Sequence, residues 1–402
     1  MSDRGRRPFR VPPRALLKVA LYFVACWSVL ALLVSDSRAA LAALLALALY
    51  TTIPLLVFLR WGGWPFYPGK AFRLFVLRVF WYAQLALPLV AGAGLVGLLA
   101  GAPFGRAMDV GRIAAATIAG TLTIFIGLGY LGSRALVVRD VLAELPDLPA
   151  EFEGFRIVQL TDLHIGPHLS RTRLDRVAQA TSRLEPHMIA VTGDIVDDRV
   201  EDLEVYREVF GGLRAEFGVF LIPGNHDVYA GWPAVERRLR RGDLGILLVN
   251  ESYEIRRGPS AISVVGTGDP AGRGFPDAGV APDIDRALAG VPAGRFTIAL
   301  AHNPALFKAL AERGVALTLS GHTHWGQLAL PNAGWSMAGM FLEDAMGVIT
   351  RGRSLLYISP GTGYWGIPFR IGATGEVTHF TLTRGKRDAP HGSVTGRRTV
   401  AC

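Results

Sequence analysis

The sequence predicts an α/β fold, two packed sheets flanked by helices, preceded by a membrane domain of four spanning helices. Three observations predict it. Four nearly continuous apolar segments fill the first third of the 402 residues. Behind them, short β-branched apolar runs alternate with amphipathic patterns of helical period, as strands joined by helices do. Five of those runs end in a polar island built from Asp, His and Asn.

The apolar segments run over residues 15–34, 39–59, 79–101 and 113–131. Each is close to the roughly 20 residues that a helix needs to cross a hydrocarbon core. The first is too long for a cleaved signal peptide and three more follow it, so it is read as retained. Lys18 can extend to the interface, and Pro88 kinks the third helix without preventing its insertion. No Asp or Glu falls inside the four spans, which argues against a proton or ion pathway.

Basic residues set the orientation. Eleven, including Arg4, Arg6, Arg7, Arg10, Arg14, Arg60, Lys70, Arg134 and Arg139, flank the spans on one side, against Arg38, Arg106 and Arg112 on the other. The N-terminus and the second half of the chain are therefore expected on the cytoplasmic side. Trp61, Trp64, Phe66, Tyr67, Trp81 and Tyr82 gather there as an interfacial belt. Two cysteines, Cys26 and Cys402, imply no disulfide framework, in keeping with a reducing compartment. The net charge of +9 reads as attraction to anionic lipid, with no nucleic-acid partner expected.

These patterns divide the chain into a membrane domain (1–140), a Pro- and Leu-rich linker (141–154), an α/β domain (155–384) and a Gly-, Ser- and Arg-rich tail (385–402) expected to be disordered. In the α/β domain the runs at 156–161, 188–192, 219–222, 261–265, 296–301 and 316–320 read as strands. Helices are expected at 172–184, 202–213, 234–241, 283–289 and 305–312, and short strands at 327–330, 346–350, 354–358 and 377–382.

The islands carry the chemistry. They are Asp162-Leu163-His164, Gly193-Asp194, Gly224-Asn225-His226-Asp227, Ala301-His302-Asn303 and Gly321-His322-Thr323-His324. A strand that ends in such a residue delivers it to a loop at one rim of a sheet, where several loops can converge. Asp, His and Asn offer oxygen and imidazole nitrogen but no thiolate, a set suited to Mn, Fe or Zn. Seven ligand-capable side chains, Asp162, His164, Asp194, Asn225, His302, His322 and His324, exceed what one ion can use. Two divalent ions are expected, with Asp194 able to bridge them.

In this order the islands resemble the calcineurin-like metallophosphoesterase superfamily, over about residues 155–382. The resemblance implies a four-layer αββα sandwich. It implies one ion held by Asp162, His164, Asp194 and His324, and a second held by Asp194, Asn225, His302 and His322. It also implies that His226 contacts the phosphoryl group or protonates the leaving group, and that Asp227 orients it. Gly326, Gln327, Gly361, Gly363, Pro368 and Arg370 resemble a later block of a bacterial membrane-associated branch containing phosphodiesterases. That places the chain in the inner membrane and makes Arg370 a candidate phosphate contact. The branch commonly has Gly where Trp325 stands, so Trp325 is a candidate pocket residue.

The expected reaction is hydrolysis of a phosphodiester or pyrophosphate bond by a hydroxide bridging the two ions. Four membrane helices give a hydrolase local concentration and orientation only if its substrate is lipid-linked, so a phospholipid or lipid-linked phosphate is the expected partner. The apolar segment Trp335 to Phe341 could line a path for acyl chains. The alternative is a membrane sensor or scaffold that binds metal without cutting. His226 and Asp227 argue against it, because a binder needs ligands but no proton donor.

Overall fold

The computed structural model describes residues 13–61, 69–166, 168–241, 244–385 and 390–400. Arg4, Arg6, Arg7, Arg10, Trp64, Phe66, Tyr67 and Cys402 lie outside the described residues. The chain divides into two compact units, Met1–Leu128 and Gly129–Cys402.

In the first unit the apolar segments form the helices Pro13–Leu33, Arg38–Trp61 and Arg78–Gly101. A fourth, Ala107–Arg134, runs on into the second unit. All four are long and apolar enough to cross a membrane. Their large side chains point outward, Leu17, Val96 and Ile113 among them, as expected of surfaces that meet lipid rather than water. This is a membrane protein.

The second unit is a helix–sheet–sheet–helix sandwich. Its first sheet has seven strands in the spatial order His391–Thr399, Leu136–Leu145, Gly375–Arg384, Phe155–Leu160, Met188–Thr192, Val219–Ile222 and Ile246–Leu247. The second has six, in the order Gly347–Arg351, Ser354–Ile358, Leu317–Ser320, Thr297–Leu300, Ser260–Gly266 and Glu251–Arg257. Alternate residues of the central strands face opposite layers, and both faces are covered, which is why these strands read as unbroken apolar runs. Ile157, Ala190, Phe220, Ile298, Leu300 and Leu319 fill the space between the sheets. Val158, Ile189 and Leu221 face outward against Leu174, Val177, Tyr206, Phe210 and Trp232 of the helices Arg171–Arg183, Leu203–Phe210 and Trp232–Arg240. Leu306 and Leu310 cover the outer face of the second sheet.

Three expectations are corrected. Residues 141–145 of the segment read as a linker, with 136–140 of the segment read as membrane domain, form the strand Leu136–Leu145, held parallel to Gly375–Arg384. The tail read as disordered contains the strand His391–Thr399, antiparallel to Leu136–Leu145. Its backbone hydrogen bonds, not apolar side chains, hold it at the sheet edge. Arg139, counted among the juxtamembrane charges, is instead buried in an ion pair with Glu376, which also accepts the Tyr357 hydroxyl at 2.7 Å. The basic excess beside the membrane is smaller by that residue.

Candidate metal centre

Five strands aim their C-terminal ends at one place. Phe155–Leu160, Met188–Thr192 and Val219–Ile222 are parallel neighbours in the first sheet, and Thr297–Leu300 and Leu317–Ser320 are parallel neighbours in the second. The five islands follow them directly and meet where the rims of the sheets adjoin. The backbone there is unusual. Asp162, His164, Asp194, His322 and His324 all lie in the left-handed region, with φ of 51°, 44°, 50°, 69° and 48°. Side chains rarely adopt that conformation, and strain of this kind collects where surrounding structure enforces it for function. The glycines of the islands give the loops room: a Cβ on Gly224 would collide with Asp194, and one on Gly321 with Asp162 and Thr161.

Two groups of donor atoms result. In the first, His324 Nε2 lies 3.3 Å from Asp162 Oδ1 and 3.1 Å from His164 Nε2. In the second, His302 Nε2 and His322 Nδ1 lie 3.3 and 2.8 Å from Asn225 Oδ1. Asp194 Oδ2 stands between them, 3.6 Å from His164 Nε2 and 3.3 Å from His302 Nε2. Two ligands each about 2.1 Å from one ion stand roughly 3.0 to 3.4 Å apart in octahedral or tetrahedral geometry. The separations of 3.1 and 3.3 Å fit that requirement, while His322–Asn225 at 2.8 Å and His164–Asp194 at 3.6 Å lie about 0.2 Å outside it. The orientation fits too: His302 Nδ1–H donates to Thr192 O at 2.8 Å, leaving its Nε2 lone pair aimed at two oxygens. An acceptor facing acceptors needs a cation or a proton between them, and the residues present therefore fit a pair of divalent ions.

The electrostatics say the same. Burial pulls the His302 pKa down, but the Asp194 and Asp162 carboxylates outweigh it and raise it well above the ordinary value. Burial lifts Asp194, yet His302 holds it well below the usual carboxylate range. Without an ion, a proton on His302 takes the place of positive charge. His322 is pushed down to about 4 by burial and by His302.

His226 lies at the mouth of the site. Its backbone N–H donates to Asp194 Oδ1 at 2.8 Å and its ring Nδ1 donates to Asp197 O at 2.6 Å, which leaves Nε2 free to meet a substrate. Asp197 went unread in the sequence. Its carboxylate Oδ1 lies 3.3 Å from His164 Nδ1 and 3.7 Å from His226 Nδ1, so one side chain steadies a ligand and the candidate proton donor together. The only local signal was a second acidic residue three positions after Asp194.

Three roles expected from the resemblance are corrected. Asp227 does not touch the His226 ring: its carboxylate accepts the N–H groups of Ile195, Val196 and Gly224, at 3.1, 3.1 and 2.9 Å, and staples two ligand loops together. Burial and the Asp194 charge push Asp227 up to about 7, against the pull of those three donors. Arg370 is buried and faces no open space. It donates to the Ala373 and Gly363 carbonyls, and its Nη2 stands 3.2 Å from His324 Nδ1. Trp325 is likewise buried, its indole N–H donating to Ile358 O at 2.9 Å among Phe307, Leu356 and Ala373. Both support the site from behind.

The sandwich and its five loops define a metallophosphoesterase domain. Residues 155–326 match the family described as calcineurin-like phosphoesterase, and the chain carries a domain of that superfamily. It is 32% identical over 255 residues to "Transmembrane protein with metallophosphoesterase domain" of Danio rerio, covering 61% of this chain and 57% of that protein. It is 33% identical over 228 residues to "Uncharacterized metallophosphoesterase" of Helicobacter pylori strain J99, covering 56% of this chain and 59% of that one. The chain thus spans less than two thirds of the length of either relative. Among solved structures, a dimetal phosphatase from Danio rerio matches with a TM-score of 0.37 and 11% identity, over 62% of this chain and 99% of that one.

Proposed function

We propose that the chain is a membrane-anchored hydrolase that cleaves a phosphodiester or pyrophosphate bond of a lipid-linked substrate, with its catalytic domain on the cytoplasmic side of the inner membrane. The observation that carries this reading is the position of Asp194 Oδ2 between the two donor groups, 3.6 Å from His164 Nε2 and 3.3 Å from His302 Nε2. Asp162, His164, Asp194 and His324 would hold one divalent ion, and Asp194, Asn225, His302 and His322 the other. Mn, Fe or Zn, when bound, supplies Lewis-acid charge at the phosphoryl oxygens and a hydroxide near neutral pH.

The chain's own residues do the rest. The ordered ring of His226, tied at Nδ1 to Asp197, presents Nε2 to the leaving oxygen as a proton or hydrogen-bond donor. Asp227 fixes the loop that carries Asn225 and His226. The near-complete burial of Asp162, His302 and Asp194 removes water from the charges behind the reacting centre, which strengthens each interaction there.

Elemental analysis of the purified full-length protein tests the reading, together with hydrolysis of bis(4-nitrophenyl) phosphate. Two equivalents of divalent ion and chelator-sensitive turnover are expected. Protein that retains no divalent ion and stays inert after supply of Mn, Fe or Zn overturns it. The sensor alternative is separated by the same assay: it predicts bound metal with no turnover.

A further inference from the structure

Beside the metal centre runs an exposed apolar rim whose surroundings identify what covers it. Trp365 is 53% exposed and its ring centroid lies 6.1 Å from that of His226. Its carbonyl accepts the Gln327 side-chain amide at 3.1 Å, which ties it to the turn that follows His324. On that same turn, Met337 packs so closely over Gly326 that a Cβ there would lie 2.7 Å from its Cβ. Met340, Phe341 and Leu342 follow, and Phe341 is 79% exposed. Water-facing surfaces rarely carry contiguous apolar residues of this size without a partner.

The chain four residues beyond Trp365 settles on a membrane helix. Arg370 N–H donates to Gly129 O at 2.8 Å. A Cβ on Gly129 would overlap the Phe369 ring, and one on Gly132 the Arg370 carbonyl, so these two glycines admit the loop against the helix. Gly129 and Gly132 lie in the last turns of Ala107–Arg134, one of the four helices able to cross a membrane. Arg173 adds a second tie, donating to Ser133 O at 2.9 Å and to Thr362 O at 2.9 Å. The loop that carries Trp365 is therefore bonded to the end of a membrane span, and the strand Leu136–Leu145 begins one residue after that helix stops.

We propose that Trp365, Met337, Met340, Phe341 and Leu342 seat in the lipid bilayer, so that the metal centre opens onto the membrane surface and takes its phosphoester from a lipid headgroup. The bilayer is the occupant because the loop that carries Trp365 is bonded to the end of a helix able to cross a membrane. Trp, Phe and Leu are residues that partition into the headgroup and acyl boundary. The substrate part of the proposal rests on the hydrolase reading; the docking part does not.

Two measurements test it on the full-length protein in lipid nanodiscs. In a Cys26→Ser, Cys402→Ser background, a nitroxide is attached through Phe341→Cys, and its collisions with oxygen and with a water-soluble nickel chelate are compared by power saturation. Greater access to oxygen is expected. Greater access to nickel overturns the docking, whether the loop is bare or awaits a protein partner. Second, the triple variant Met340→Ser, Phe341→Ser, Leu342→Ser should cleave a phosphodiester lipid in the nanodisc roughly tenfold more slowly, while its rate on soluble bis(4-nitrophenyl) phosphate stays within about twofold. Equal loss on both substrates, or loss on neither, overturns the headgroup assignment. A wild-type protein inert on every phosphoester refutes the hydrolase reading while the label depth still decides the docking.

Discussion

The two halves of the metal centre are built differently. The group around His164 and His324 is buried and braced from behind: Asp197 stands beside His164, and Arg370 beside His324. In the other group His302 is buried but Asn225 and His322 are only half-buried, and these donors lean chiefly on one another and on the backbone. Bracing fixes ligand orientation and tunes ligand basicity. On the proposed two-ion reading, the first half would keep its ion and the second would share one with whatever enters from solvent.

Removing the residue common to both halves should have the largest effect. Asp194→Asn is expected to empty both positions and lower turnover by roughly 10³-fold or more. Elemental analysis that still finds two ions in this variant would erase the distinction between shared and separate ligands. His226→Ala comes next, with metal content retained and turnover down by about 10² to 10⁴. Full turnover would remove His226 from the chemistry. Asp197→Asn sharpens the comparison most directly: without the carboxylate that faces His164 Nδ1, the braced half should lose affinity by about 10- to 100-fold while the other half keeps its own, giving two resolved steps in a metal titration. A single unshifted transition would show that Asp197 does not tune His164.

The smallest effect concerns protons. The Asp194 and Asp162 carboxylates raise the His302 pKa, so the ion-free protein holds that proton more tightly and loading the open half is expected to expel it. Calorimetry in buffers of different ionisation enthalpy should detect about one proton released, with apparent affinity rising as the pH rises. The sign also governs stability. What His302 lends the ion-free fold is complete below its ordinary value of about 6.5 and is lost as the pH climbs through the raised value.

The central strands and the five islands were legible because both signals are local: a strand buried on both faces is apolar throughout, and a ligand follows its end. What sequence could not give depends on which distant segment lies behind a residue. Arg370 occupies a motif position that suits a phosphate contact, yet the carbonyls of Gly363 and Ala373 claim its guanidinium. Asp227 adjoins His226 in sequence, but its carboxylate points under the Gly193 loop, and Asp197 comes to the ring from another strand end. The edge strands His391–Thr399 and Glu251–Arg257 escaped notice for a related reason. Their polar side chains show little periodicity, and backbone pairing alone defines them.

The left-handed backbone at five ligand positions has a practical consequence for anyone dissecting this centre. Alanine at Asp162 or His324 would subtract a ligand and also place a Cβ-bearing residue with no compensating polar side chain in a conformation that costs about 1 to 2 kcal/mol. A dead alanine mutant would then report a deformed loop as readily as a missing donor. Asparagine tolerates that geometry best after glycine, which makes Asp162→Asn and His324→Asn the substitutions that separate chemistry from shape.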